Sequence, residues 1–447
     1  MVKKLLRNPY FIFLPFLFFY AYVIIINKWP TLYGDEIRYV DFAWGILHGY
    51  YSPPPPHINL WNGPGYPLVI VPFMAMRIHA IYITLLNGVF QYLAVVFLYK
   101  SLRIISNRKI ALIFSLLLAL YPNNLAILPI LYTEAFTGFL VSSFIYSVTL
   151  CYSLKSTRHG LLSGLIFGYL ILTKVIFGYV LLIGLATYLL LLLLKKDKAY
   201  YLRPLYMLSI AFAVTLPWLV YTYHITGKLL YWGDSGGMSL YWMSTPYANE
   251  YGDWKLPELT NHQYPISFKS AETEAILKKN HSKEMAFILK HDELQRDELF
   301  KQAAFRNIRR HPGKFALNYY YNCSRMLFNF PYSFSYQDAA ILGNILRGSL
   351  ILWASVVGLI STFINWQRIA WPVKFTLFLT GVYLLLSGLL SAYPRQLDIV
   401  MPVLLFWIGF LAANTQSLAL KFKKDEMQDH IDLAQLTERC VYPKNER

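Results

Sequence analysis

The sequence predicts an all-α polytopic membrane protein, and three observations carry that expectation. Charged residues make up 15% of the 447-residue chain and hydrophobic ones 56%, whereas a soluble protein carries about 25% charged residues. Apolar stretches long enough to cross a bilayer recur along the chain. The 36 Tyr, 30 Phe and 11 Trp supply amphipathic rings that favour the membrane–water interface. Collagen, intrinsic disorder and a coiled coil are excluded by the same composition.

Apolar runs at 9–27, 79–100, 109–126, 134–154, 160–174, 175–194, 205–223, 342–365, 373–392 and 396–414 predict about ten transmembrane helices. Lys174 and Gly178 interrupt the 160–194 region, which reads either as two spans or as one long helix with a re-entrant piece. The first run has a basic start like a signal peptide, but Asn27-Lys28-Trp29-Pro30 offers no small-residue cleavage site, so it is expected to remain as an anchor.

The net charge of +17 does not point to nucleic acid, because Lys and Arg punctuate the apolar runs instead of gathering on a folded polar face. Six connections (3–7, 100–109, 155–158, 195–203, 368–374 and 421–447) hold 21 of the 41 basic residues but 7 of the 24 acids. The positive-inside rule assigns them to the cytoplasm, with both termini. The loops at 28–65, 121–133 and 224–340 then face outward across a plasma (bacterial inner) membrane. The expected organisation is an N-terminal membrane module (1–223) that includes the first outer loop (28–65), a small extracytoplasmic helical cap (224–340), C-terminal spans (341–414) and a cytoplasmic tail (415–447). Within the cap, His291 to His311 is amphipathic and stops at Pro312, before the aromatic run Phe315 to Phe330.

The first outer loop contains Tyr33-Gly34-Asp35-Glu36-Ile37-Arg38-Tyr39, and apolar residues at Ile37, Val40, Trp44 and Leu47 follow helical spacing. A juxtamembrane helix is expected there, with Asp35 and Glu36 in its first turn. The two acids read as helix-capping residues or as chemistry. Glu134 opens the fourth run after Thr133, either as part of a cap or as a functional carboxylate at membrane depth. Lys174, where the fifth run emerges, would snorkel to the headgroups or meet an anion. Arg395 lies three residues before Asp398 and would pair with it or face the same outer cavity. Carboxylates and cations emerging from separate helices on one side suggest a shared polar cavity for a charged ligand.

Asp35-Glu36 with Tyr39, Gly49-Tyr50, and Asn62-Gly63-Pro64-Gly65-Tyr66-Pro67-Leu68 resemble the first loop of GT-C membrane glycosyltransferases. The similar branch is that of the lipid A aminoarabinose transferases and protein O-mannosyltransferases. Leu131 to Glu134, Gly164 to Lys174, Leu216-Pro217-Trp218, Gly227 with Gly236-Gly237, and Pro394-Arg395 before Pro402 continue the resemblance in order. It implies a GT-C fold and transfer of a sugar from a polyprenyl-phosphate donor to an acceptor hydroxyl on a glycan, lipid or protein, usually with inversion. By that resemblance Asp35 is the general base and Glu36 positions or tunes it. Lys174 and Arg395 hold the donor phosphate, and Glu134, Tyr39 and Tyr66 belong to the substrate cavity.

No cofactor is implied. The histidines lack the paired spacing of a zinc site, although a divalent cation shared by Asp35 and a neighbour stays open. No Gly-rich phosphate loop suggests direct use of a nucleotide. A lipid-sugar flippase and a ligase using a lipid-diphosphate donor are the competing readings. Product analysis separates them: a transferase releases polyprenyl phosphate, a ligase the diphosphate, a flippase neither.

Overall fold

The structure, a computed structural model, describes residues 8–194, 198–257, 259, 271–334 and 341–414. The basic start, residues 195–197 and the expected tail lie outside the described residues. Regular structure among the described residues is helical, without a strand. The first run becomes α1 (Pro9–Ile12) and α2 (Leu14–Asn27). The first loop carries α3 (Asp35–Leu47) and is followed by α4 (Gly65–Ala75), an apolar helix that the sequence reading did not assign. The body continues with α5 (Ala80–Ile105), α6 (Arg108–Ala119), α7 (Pro122–Ile127), α8 (Glu134–Ser153), α9 (Thr157–Thr173), α10 (Ile176–Leu194) and α11 (Lys198–Thr226).

The cap comprises α12 (Gly236–Met243), α13 (Ala271–Ile288), α14 (Glu293–Arg310) and α15 (Pro312–Phe328). The chain returns through α16 (Ile341–Ile364), α17 (Trp371–Gly388), the short α18 (Pro394–Asp398) and α19 (Met401–Asn414). Every expected run is helical. Seven described helices are long and apolar enough to cross a membrane: α5, α6 with α7, α8, α10, α11, α16 and α17. The other three runs form shorter helices, α2, α9 and α19. The ambiguous 160–194 region is two helices, because Lys174 adopts an extended conformation (φ −129°, ψ 97°) between α9 and α10.

Packing explains where the polar residues end up. Helix α9 lies between α8 and α11, and Gly164 and Gly168 face α11. A Cβ on Gly164 would sit 2.6 Å from Ile210 Cβ, and one on Gly168 would sit 2.5 Å from Val214 Cβ. In a bilayer, where the lipid tails are as apolar as leucine, such close approach is a main source of helix association. The first loop is laid against the end of α9 in the same way. A Cβ on Gly63 would sit 2.1 Å from the Leu172 carbonyl oxygen, and one on Gly65 would sit 2.4 Å from Thr173 Oγ1.

The cap has its own small core, including Tyr241, Trp242, Met285, Ile288 and Phe300. Its amphipathic helix starts where the Asp292 side chain accepts the Gln295 N–H at 2.9 Å. It stops before Pro312, which opens α15.

Candidate active site

Gly34, with φ at +58°, turns the chain so that Asp35 becomes the first residue of α3. Asp35 Oδ1 accepts from Arg38 Nη2 at 2.5 Å, one helical turn on, and Oδ2 accepts from Arg395 Nη1 at 3.0 Å. Arg395 reaches it from the first turn of α18. There, reciprocal hydrogen bonds between Tyr393 and Gln396 fix the helix start, and the guanidinium lies 5.8 Å from the centre of the Tyr132 ring. Beside this pair, Lys174 Nζ donates to Glu134 Oε1 at 3.1 Å. The extended backbone at Lys174 aims its side chain across to the start of α8.

The two pairs form one electrostatic unit. Burial alone would raise the Asp35 carboxyl, but the guanidinium groups of Arg395 and Arg38, with Lys174 further off, outweigh it and hold Asp35 below the usual carboxylate range. A hollow of about 170 Å³ lies alongside. Its wall includes Asn62 from the first loop, Thr173 and Lys174 from the α9–α10 junction, Tyr383 and Ser387 from α17, and Arg395. Two cations from distant parts of the chain therefore share one cavity, and each bonds a carboxylate that lies outside its lining, Arg395 bonding Asp35 and Lys174 bonding Glu134.

Several local expectations resolve differently. Asp35 does not cap α3: Gly34 holds the cap position and no side chain bonds there. Thr133 makes no capping bond for α8, and Glu134 is spent on Lys174. The pairing of Arg395 with Asp398 does not form, because Asp398 accepts from Tyr121 at 2.7 Å and from Asn123 at 3.0 Å. Glu36 is buried and is not part of the hollow's wall. Its Oε1 takes Lys28 Nζ and the Leu131 N–H at 2.7 Å, and its Oε2 takes the Tyr33 N–H at 3.0 Å, so what it positions is the loop. Tyr39 and Tyr66 are not in the lining. They are buried edge-to-face, with ring centres 5.2 Å apart and Tyr66 against Phe136.

Arg38, Tyr132 and Lys28 were not singled out from the sequence. For Arg38 a signal existed, since an Arg three residues after an Asp is a helix-surface partner. Tyr132 and Lys28 carried none. Both Asp35 oxygens face guanidinium groups, so a divalent cation there would have to displace two positive charges. Among the described residues no group of three or more His, Cys, Asp and Glu side chains could hold a metal ion. His281 is buried between Glu250, at 2.8 Å, and Tyr241, at 2.8 Å.

No protein-family model matches the chain, and no curated protein does. Similar folds occur among solved structures. The Archaeoglobus fulgidus oligosaccharyltransferase AglB, in complex with an inhibitory peptide and a dolichol-phosphate, is 13% identical with a TM-score of 0.45, over 97% of this chain and 52% of its own. The apo form of the oligosaccharyltransferase from the same organism gives 14% and 0.47 over 97% and 52%. ArnT from Cupriavidus metallidurans bound to undecaprenyl phosphate gives 11% and 0.39, over 91% of this chain and 78% of its own. The chain thus spans about half the length of the archaeal enzymes it matches. At that distance the likeness carries no functional argument. What stands is the all-helical membrane body and the charged hollow at one end of it.

Proposed function

We propose that this protein is a GT-C-like glycosyltransferase that moves a sugar from a polyprenyl-phosphate donor to an acceptor hydroxyl, with inversion, on the outer side of the membrane. The observation that carries the reading is the Asp35 carboxylate bonded to Arg395 beside a hollow whose wall also holds Lys174. The outer side is supported by the basic connections at 100–109, 155–158 and 368–374, which join the opposite ends of the helices and which the positive-inside rule expects in the cytoplasm.

In this mechanism the acceptor oxygen attacks the anomeric carbon while Asp35 takes the hydroxyl proton, and the bond from that carbon to the phosphate oxygen breaks. Lys174 and Arg395 counter the charge that develops on the departing phosphate. Arg395 has a double task. While it bonds Asp35 it keeps the carboxylate a weak base, and a phosphate drawing on the same guanidinium loosens that hold and strengthens the base. Glu134 keeps Lys174 in place, and Glu36 keeps the start of α3 in place.

The test is release of polyprenyl phosphate by the full chain in lipid nanodiscs supplied with polyprenyl-phosphate hexoses and pentoses. Asp35→Asn is expected to stay folded and lose about 10² to 10⁴ in rate. Lys174→Ala should mainly raise the KM for the donor. Near-normal transfer by folded Asp35→Asn would refute the assignment of the base.

A further inference from the structure

A second hollow, of about 320 Å³, opens between residues 53–61 of the first loop and the cap helices α12 and α14. Its wall combines two aromatic rings, Trp61 and Phe300, with the polar side chains of Asn59, Asp234, Glu293 and Arg296. Asp234 is 9% exposed. Its Oδ2 accepts the Leu60 N–H at 2.7 Å, which fixes the side chain. Its Oδ1 is buried and makes no hydrogen bond among the described residues. A buried acceptor left without a donor is uncommon, and an ordered water, a ligand or a function accounts for one.

The surrounding charge narrows the ligand. Arg296 donates to Glu293, at 3.3 Å, and to the Leu289 carbonyl, at 2.9 Å, while its buried Nε makes no hydrogen bond among the described residues. Asp297, also in the wall, is satisfied by Tyr231, the Gly237 N–H and Lys301. An anion entering here would meet three carboxylates, the reverse of the hollow walled by Lys174 and Arg395. Burial pushes Asp234 up to about 7, against the pull of the Leu60 N–H and with help from the nearby Asp297 charge. A carboxyl balanced near neutrality both accepts and donates, as a hydroxyl group does. The volume lies at the small end of ligand pockets, suited to one sugar ring.

We propose that this hollow is a subsite for one neutral saccharide unit, with its C–H face on Trp61 and Phe300 and its hydroxyls on Asp234 and Asn59. Trp61 lines both hollows, and the Arg38 guanidinium lies 5.3 Å from the centre of its ring while bonding Asp35. A sugar held there abuts the proposed base through two side chains. Calling that sugar the acceptor rests on the transferase reading, whereas its binding does not.

The test is saturation-transfer NMR on the full chain in nanodiscs with methyl hexosides and methyl pentosides, alongside cyclohexylamine and inorganic phosphate. A methyl glycoside should bind and phosphate should not compete with it. Asp234→Asn keeps an oxygen for the Leu60 N–H but places an amide where the free acceptor was, and should weaken binding roughly tenfold or more. Trp61→Leu, which keeps apolar volume without the ring, should do the same, and Gly381→Ala in α17, where no atom lies within 4 Å of the added Cβ, should leave glycoside binding unchanged. Failure of every glycoside to bind, equal binding by wild type and both folded variants, or binding of the amine alone overturns the proposal. Glycoside binding without sugar transfer would sink the transferase reading and keep the subsite. Transfer without glycoside binding would do the opposite.

Discussion

Asp35 is placed between two guanidinium groups, one from its own helix and one from 360 residues away. Each lowers the carboxyl pKa, and the base form exists above that pKa. Removing one guanidinium raises the pKa, so Arg38→Ala is expected to move the acid limb of the kcat/KM profile to higher pH. An acid limb unmoved by that change would mean that another group sets it. Glu36 has a different task. Breaking a buried ion pair by removing one partner costs about 3–5 kcal/mol, and Glu36→Ala leaves Lys28 and the Leu131 N–H without their acceptor. It should lower the thermal unfolding midpoint in detergent well beyond Glu36→Gln, which keeps an acceptor oxygen. Equal midpoints for the two variants would show that the pin is not needed.

At the scale of elements, the site depends on how closely the first loop lies on α9. In Gly63→Ala the new Cβ meets the Leu172 carbonyl, backbone that cannot rotate away, so the loop must lift from the segment that carries Lys174. Displacement of about 1 Å at a reacting site costs on the order of 10² in rate. Gly63→Ala is expected to lose about that much transfer while the bundle stays folded. Gly381→Ala in α17, where no atom lies within 4 Å of the added Cβ, serves as the silent comparison. Loss of activity in both, or in neither, would separate the loop contact from the site.

The whole molecule is a membrane body with a charged end and a small cap whose core is separate. Its orientation is open to a direct check. In intact cells a membrane-impermeant thiol reagent should label Leu229→Cys, in the exposed turn after α11, and leave Arg158→Cys, exposed at the start of α9, unlabelled. The reversed pattern would put the site on the cytoplasmic side.

The positions of the helices along the chain, α4 excepted, were legible in the residues because they depend on local quantities: the length of an apolar run, the basic residues that end it, and a Pro or Asp that starts the next helix. Glu134, Lys174 and Arg395 were legible as well, since an ionisable group at the edge of an apolar run is costly enough to stand out, and Asp35 stood out as an acid in the first turn of a short helix in the first outer loop. Their partners were not. Of two Asp/Arg pairs with the same spacing of three, Asp35 with Arg38 forms and Arg395 with Asp398 does not, because Tyr121 and Asn123 claim Asp398. Nor could spacing tell that Glu36 would turn inward to Lys28, that Tyr39 and Tyr66 would be buried outside the hollow's wall, or that Asp234 would keep a bare oxygen. Those outcomes depend on how tightly α9 packs on α11 and where the loop comes to rest on it, and hydrogen bonds a few ångströms long form only after that docking has set the distances.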